Sequence, residues 1–279
     1  MTFSELREYI HKLEILYPKS EINAFYFILL KHYGKYSKAT ILANSDTLLT
    51  EDIAQPILQA IREQTAKPIQ YILGETEFFS NRFFVNENVL IPRPETEELV
   101  DWVLQEYPDK NEKIKILDVG TGSGCIAISL AKALPNAVVT AIDVSEGALK
   151  VAKRNAELNS VVTYFLQQDI LRTETLPNKY DIIISNPPYV RELEKKEIHH
   201  NVLEYEPHLA LFVPDNNPLL FYDKIATLAQ QSLNPNGSLF FEINQYLGQE
   251  MQTLLEQNHF TEITLRQDLF GNDRMIKAK

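Results

Sequence analysis

From residue 114 to residue 277, apolar runs of about six residues alternate with longer amphipathic stretches, and this alternation limits the possible folds more than any other feature. Strands are expected at Ile114–Val119, Ala137–Ile142, Val161–Leu166, Tyr180–Ser185 and Gly237–Ile243, with closing strands near Thr261–Arg266 and Arg274–Lys277. Helices fall between them, over Ile126–Leu134, Glu146–Leu158, Leu219–Ser232 and Leu247–Glu256. Strands that alternate with helices in this way build a parallel sheet with helices on both faces. The sequence holds no internal repeat, and the charged run Arg191–Glu197 reads as a solvated helical surface.

The preceding 72 residues have a different period. Phe3, Leu6, Ile10, Leu13 and Tyr17 recur at spacings of three and four, which puts them on one helix face. Ser20 is an expected N-cap for a second helix carrying Ile22, Phe25, Phe27 and Leu30. Thr50 caps another, lined by Ile53, Ile57 and Ile61 and punctuated at its end by Pro68 and Gly74. Between the two regimes, Phe78–Val85 reads as two short aromatic strands around a turn. The expected organisation is a helical domain over 1–74, a β-hairpin linker over 75–92 and an α/β domain over 93–279.

A chain of 279 residues has room for two such domains. Its one cysteine, Cys125, permits neither an intrachain disulfide nor a cysteine-based zinc cluster, and it reads as a packing residue at a helix start. The first residues lack the basic and apolar regions of a signal peptide, and Ala24–Leu30 is too short to span a bilayer, so a cytoplasmic protein off the membrane is expected. The net charge is −11. Residues 1–72 carry eight basic and eight acidic side chains, so the whole acidic excess lies downstream. A neutral helical part on an acidic chain argues against a phosphate clamp for nucleic acid.

Two loops carry the chemistry. The first, Asp118-Val119-Gly120-Thr121-Gly122-Ser123-Gly124, follows an apolar strand and opens a helix, where glycines let a ligand approach the backbone. Its third glycine stands one place earlier than in the dinucleotide fingerprint, which disfavours a pyrophosphate. Asp143, at the end of the next strand, can accept hydrogen bonds from ribose hydroxyls. Acidic surroundings repel phosphate and tolerate a sulfonium cation, so S-adenosylmethionine suits this half. At the end of the third parallel strand, Asp169 can accept from the adenine amine while Ile170 covers the ring. An ordinary loop Asp is the competing reading.

The second loop is Ser185-Asn186-Pro187-Pro188-Tyr189, directly after the strand Asp181–Ile184. A planar NH2 conjugated to a carbonyl or a ring is a poor nucleophile. The Asn186 oxygen and the Pro187 carbonyl can accept its two N–H bonds and stabilise the charge that develops on it. The prolines stiffen the loop without adding N–H donors, and Tyr189 offers a flat face. The bland alternative is a loop start, since Asn-Pro and Pro-Pro commonly mark turns.

These motifs resemble the class I methyltransferases of the amino-group-methylating branch. More closely, Ile91-Pro92-Arg93-Pro94-Glu95-Thr96-Glu97, the helical N-terminal part, the hairpin and Glu206-Pro207 with its following Ala-Leu pair resemble the HemK/PrmC family. That resemblance implies a Rossmann-like, seven-stranded sheet with its last strand antiparallel. It also implies S-adenosylmethionine-dependent methylation of the glutamine in the Gly-Gly-Gln loop of peptide chain release factors. It further implies donor contacts at Gly120, Thr121, Gly122, Ser123, Gly124, Asp143, Ile170 and Asn186, beside the Asp169 contact expected from its place at the strand end. Asn186, Pro187, Pro188 and Tyr189 would hold the substrate, with Asn186 and Pro187 carrying catalysis. No metal is expected, nor any direct nucleic-acid partner, and the expected state is a monomer. The segment Pro214-Asp215-Asn216-Asn217-Pro218-Leu219 departs from the family's glycine-bracketed loop.

Other readings compete. An adenine-N6 methyltransferase acts on the same kind of conjugated NH2, but it has to flip a base and calls for a basic face. A nicotinamide oxidoreductase fits neither the shifted glycine nor the Asn-Pro-Pro-Tyr loop. A binding module that had lost activity would show a damaged site, and Asn186 and the glycines are intact.

Overall fold

The computed structural model describes residues 1–15, 17–63 and 67–279, so residues 16 and 64–66 of the stretch read as helical lie outside it. The chain divides into two compact units, one of residues 1–74 with 200–205, the other of residues 75–199 with 206–279.

The first unit is helical. Its helix α1 (Phe3–Ile10) starts at a capping box: the Glu5 N–H donates to Thr2 Oγ1 and the Thr2 N–H to the Glu5 carboxylate. Helices α2 (Lys19–Gly34), α3 (Lys38–Ala43), α4 (Glu51–Glu63) and α5 (Ile69–Leu73) follow. Phe3, Leu6 and Ile10 close a core with Ile22, Phe25, Leu30 and Ile57, as the three–four spacing requires. Two boundary expectations change. Pro18 takes the N-cap position of α2, so Ser20 lies inside the first turn. Pro68 and Gly74 bracket α5, a separate short helix, instead of ending α4.

The second unit opens with the aromatic hairpin β1 (Glu75–Phe78) and β2 (Asn81–Phe84), paired antiparallel. Buried Asn155 anchors it: Phe84 N–H donates to Asn155 Oδ1 (2.6 Å), and Asn155 Nδ2 donates to the Phe84 carbonyl (3.0 Å) and the Ser123 carbonyl (2.8 Å). One side chain thus ties the hairpin to the glycine-rich turn. Helix α6 (Pro94–Glu106) begins with Pro94 in its first turn and with Glu95 and Glu97 there too, a favourable start.

Alternation then runs through β3 (Lys115–Val119), α7 (Cys125–Ala133), β4 (Val138–Asp143), α8 (Glu146–Leu158), β5 (Tyr164–Gln167) and β6 (Tyr180–Ser185). Two-residue strands β7 (Val190–Arg191) and β8 (Phe212–Val213) pair parallel on either side of α9 (His200–Tyr205), which groups with the first unit. The chain finishes with α10 (Leu220–Ser232), β9 (Leu233–Glu242), α11 (Gly248–Gln257), β10 (Thr264–Gln267) and β11 (Asp273–Ala278). The main sheet has seven strands in the order β10-β11-β9-β6-β3-β4-β5, and β11 runs antiparallel to the strands on both sides of it. This is the mixed seven-stranded α/β sheet expected from the resemblance. Two apolar layers cover it, one around Leu99, Trp102 and Ile128, the other around Tyr222, Ile225 and Phe241.

The charged run after β7 is not wholly solvated. Glu194 is 6% exposed, bonded by the Arg191 guanidinium and by Asn244 Nδ2 (2.9 Å), which buries one carboxylate among its charged neighbours. Among the described residues, no helix is long and apolar enough to cross a membrane.

Candidate active site

Strand β3 lies between β6 and β4 in the sheet, so the chain crosses to opposite sides of it. In open α/β sheets, a crevice forms at that reversal outside the carboxyl ends of the strands. Here the loops leaving β3 and β6 meet in it, locked by Ser185 Oγ donating to the Val119 carbonyl (2.6 Å). One cavity is lined by Gly120–Ser123, Asp143, Asp169 and Ile170 on one side, and by Asn186, Pro187 and Pro188 on the other.

Backbone geometry shapes the first side. Gly120 and Gly122 have φ of +74° and +55°, and a Cβ on either would meet nothing within 4 Å, so both face open space. Such a bare turn lets a ligand lie against the peptide groups. Gly124 is different and does not line the cavity. A Cβ there would come within 2.8 Å of Ile128 and 3.2 Å of Ala152, so this glycine lets α7 pack on α8. Asp143 steers the turn: Gly122 N–H donates to its Oδ2 (2.8 Å) and Ser145 N–H to its Oδ1 (2.9 Å). A carboxylate has about four lone-pair sites, so Asp143 retains capacity for ribose hydroxyls. Burial raises its pKa, and the N–H bonds from Ser145 and Gly122 pull it back.

Asp118, fully buried, accepts from Thr121 Oγ1 (2.6 Å) and the Ala127 N–H (3.2 Å) through Oδ2, while Oδ1 has no hydrogen-bond partner among the described residues. Desolvation pushes its pKa up to about 7 despite those bonds. Asp169 caps a short 3-10 turn through the Leu171 N–H (3.0 Å), with Ile170 beside it on the cavity wall. Cys125 lines the wall too, but burial pushes its thiol up to about 12, so it stays a neutral packing group.

On the second side, Asn186 Nδ2 donates to Thr96 Oγ1 (3.2 Å), and Thr96 Oγ1 donates to Glu242 Oε2 (2.6 Å). Tyr189 Oη donates to the other carboxylate oxygen of Glu242 (3.0 Å). Tyr189 does not line the cavity. Its hydroxyl serves as an anchor, and its carbonyl accepts from Asn244 Nδ2 (3.0 Å). Glu242 is 1% exposed; burial raises its pKa, while bonds from Thr96 and Tyr189 and the nearby Arg274 lower it. Above this side, Arg93 pairs with the buried Glu206 (2.5 Å), whose second oxygen accepts the Ile91 N–H (3.1 Å). That pair joins the Ile91–Pro94 segment to Pro207, Leu209 and Ala210, which also line the cavity.

Residues 100–209 match the methyltransferase small domain family. The chain is 54% identical to a release factor glutamine methyltransferase of Flavobacterium psychrophilum, over 97% of this chain and 96% of that one. It belongs to the release factor glutamine methyltransferase family. A second relative in that family, from Bacteroides thetaiotaomicron, is 46% identical over 95% of each chain. Among solved structures, a Pyrococcus furiosus methyltransferase shares the fold with a TM-score of 0.52 at 17% identity, covering 82% of this chain and 98% of that one.

Set within this family, the cavity contains more functional groups than the two sequence loops. Thr96, Glu242, Arg93 and Glu206 are not expected as site residues from the sequence, although Thr96 and Arg93 stand in the Ile91–Glu97 segment, and Glu206 in the Glu206-Pro207 pair, that carry the resemblance. The available signal for Glu242 is its place after Phe240-Phe241 and before Ile243, an acid closing an apolar strand. A buried carboxylate in that setting needs partners from elsewhere in the fold.

Proposed function

We propose that this chain transfers the methyl group of S-adenosylmethionine to the side-chain amide nitrogen of the glutamine in the Gly-Gly-Gln loop of peptide chain release factors. The observation that carries the reading is the juxtaposition of the bare Gly120–Ser123 turn with the Asn186–Pro188 loop in one cavity. The donor fits the first side: two glycines open to space, a strand-end carboxylate at Asp143 that disfavours phosphate, and an apolar residue at Ile170. When bound, S-adenosylmethionine supplies a methyl carbon on a sulfonium, so an N–C bond forms as the S–C bond breaks and its electron pair stays on sulfur.

Asn186 Oδ1 and the Pro187 carbonyl accept the two N–H bonds of the glutamine amide. They hold its nitrogen lone pair toward the methyl and stabilise the positive charge as it develops. The nitrogen proton leaves after transfer, so no strong general base is needed. Thr96 and Glu242 lie behind Asn186, and Arg93 with Glu206 keeps the Pro207–Ala210 wall in place. In this reading the helical residues 1–74 recognise the folded protein substrate, and the enzyme acts in the cytoplasm as a monomer.

Transfer from labelled S-adenosylmethionine to a panel tests the proposal: a release factor, the same factor with its glutamine replaced, a ribosomal protein, DNA and RNA. Label on the intact release factor alone is expected. Label on nucleic acid alone would keep the donor half and overturn the substrate.

A further inference from the structure

The amide of an asparagine can face either way, and only its partners decide which end meets a ligand. Here the decision passes through a hydroxyl. The Thr96 hydroxyl has a single hydrogen and donates it to Glu242 Oε2 (2.6 Å). Its remaining capacity toward Asn186 is as an acceptor, which the Asn186 NH2 fills at 3.2 Å. Glu242 in turn is held by Tyr189 on its other oxygen and lies 1% exposed, so its carboxylate cannot swing away. The order of donors therefore runs Asn186 to Thr96 to Glu242, and it leaves Asn186 Oδ1 as the end offered to the cavity that both Asn186 and Thr96 line.

We propose that Thr96, backed by Glu242, is a positioning residue that locks the Asn186 oxygen toward the substrate, so that the site accepts an NH2 and rejects a carboxylate. The inference rests on the glutamine-amide reading above for what it selects. The orientation itself depends on this chain alone. Glutamine and glutamate have nearly the same shape, so a pocket that only fits shape discriminates poorly between them. A fixed hydrogen-bond acceptor does discriminate, because a carboxylate oxygen facing Asn186 Oδ1 would leave two acceptors opposed. Without the Thr96 hydroxyl, the Asn186 amide turns over in part of the population and offers its NH2, which suits the carboxylate.

The first arm needs no substrate. With side-chain amide labelling of the wild-type protein, a nuclear Overhauser contact between the Asn186 NH2 protons and the Thr96 methyl is expected, because Nδ2 is the atom that meets Thr96. Absence of that contact overturns the proposal whatever the enzyme acts on. In the second arm, Thr96→Val, nearly isosteric but without the hydroxyl, should lower kcat by roughly tenfold to a hundredfold, the range for a misplaced catalytic group. Donor affinity should stay unchanged. Thr96→Ser should restore most of the rate, and a release factor with glutamate in place of the glutamine should bind Thr96→Val better than it binds wild type. An unchanged kcat in Thr96→Val, failure of serine to rescue, or an unaltered preference for glutamine over glutamate would each overturn the proposal. A wild-type enzyme that shows the Asn186–Thr96 contact but methylates no release factor would instead overturn the substrate reading and leave the orientation standing.

Discussion

In the donor half of the cavity, the bonds that Asp118 and Asp143 accept from the turn and the start of α7 span 3, 9 and 21 residues of chain, from Thr121 to Asp118, Ala127 to Asp118 and Gly122 to Asp143. In the acceptor half the bonds span 53, 90 and 146, from Tyr189 to Glu242, Asn186 to Thr96 and Thr96 to Glu242. The donor side centres on one supersecondary unit, β3 with its turn, α7 and β4, with Asn155 of α8 and Ser185 of β6 bonded to its edges. The acceptor side exists only once α6, β6 and β9 are in place. A fold of this kind can therefore keep donor binding while its acceptor geometry is lost, and the two functions should separate under mutation.

The sharpest separation is expected from Asn186→Ala. It removes the acceptor for the substrate N–H and should lower methyl transfer by about a hundredfold to a thousandfold, on the scale of losing one transition-state hydrogen bond. Donor affinity, measured by calorimetry, should be nearly unchanged; full activity would remove Asn186 from the mechanism. Asp143→Ala should do the converse. Losing hydrogen bonds to a charged group should weaken donor binding by roughly tenfold to a hundredfold, with less effect on the rate at saturating donor. Unaltered donor affinity would contradict its ribose role and its hold on Gly122.

A smaller effect should come from the wall of the acceptor half. Arg93→Met removes the cation paired with the buried Glu206 carboxylate and leaves it, among the described residues, the Ile91 N–H bond. Breaking a buried pair typically costs several kcal/mol; because Arg93 is 33% exposed, about 2 kcal/mol is the expected loss. Denaturant unfolding reads this directly, and a midpoint equal to wild type would show that the pair does not hold the wall.

The donor half should also show a pH slope in stability. Asp118 titrates near 7 when folded against an ordinary value of 3.8, so the folded state holds its proton more tightly. Stability from this group is fully present below about pH 4 and is lost as pH rises toward 7. Without donor, Asp118→Asn should therefore flatten the fall of Tm between those values. An identical slope in both proteins would place the proton elsewhere.

The same contrast in contact range explains what could be read from the amino-acid sequence. The strands from Ile114 to Lys277 and the Gly120–Gly124 turn are local and periodic, so their residues announce themselves within a short window. The Asn186–Pro188 loop was legible because its chemistry sits in consecutive residues. Nothing local joins Thr96 to Glu242, or Arg93 to Glu206 across 113 residues; only the folded sheet brings them together. The charged run around Glu194 reads as solvated for the same reason, since Asn244, which bonds its carboxylate, is 50 residues away. Gly124 and Tyr189 lie within the right motifs, yet one packs helices and the other anchors a loop. Motif membership reports where a residue lies in the chain, and its contacts determine what it does.

The most direct measurement is the position of the methyl group. A release factor incubated with this enzyme and S-adenosylmethionine, then digested and sequenced by tandem mass spectrometry, should carry one methyl on the side-chain nitrogen of the Gly-Gly-Gln glutamine, and far less of it after the same time with Asn186→Ala. A methyl on another residue, or equal labelling when that glutamine is replaced, would contradict the account of the acceptor half.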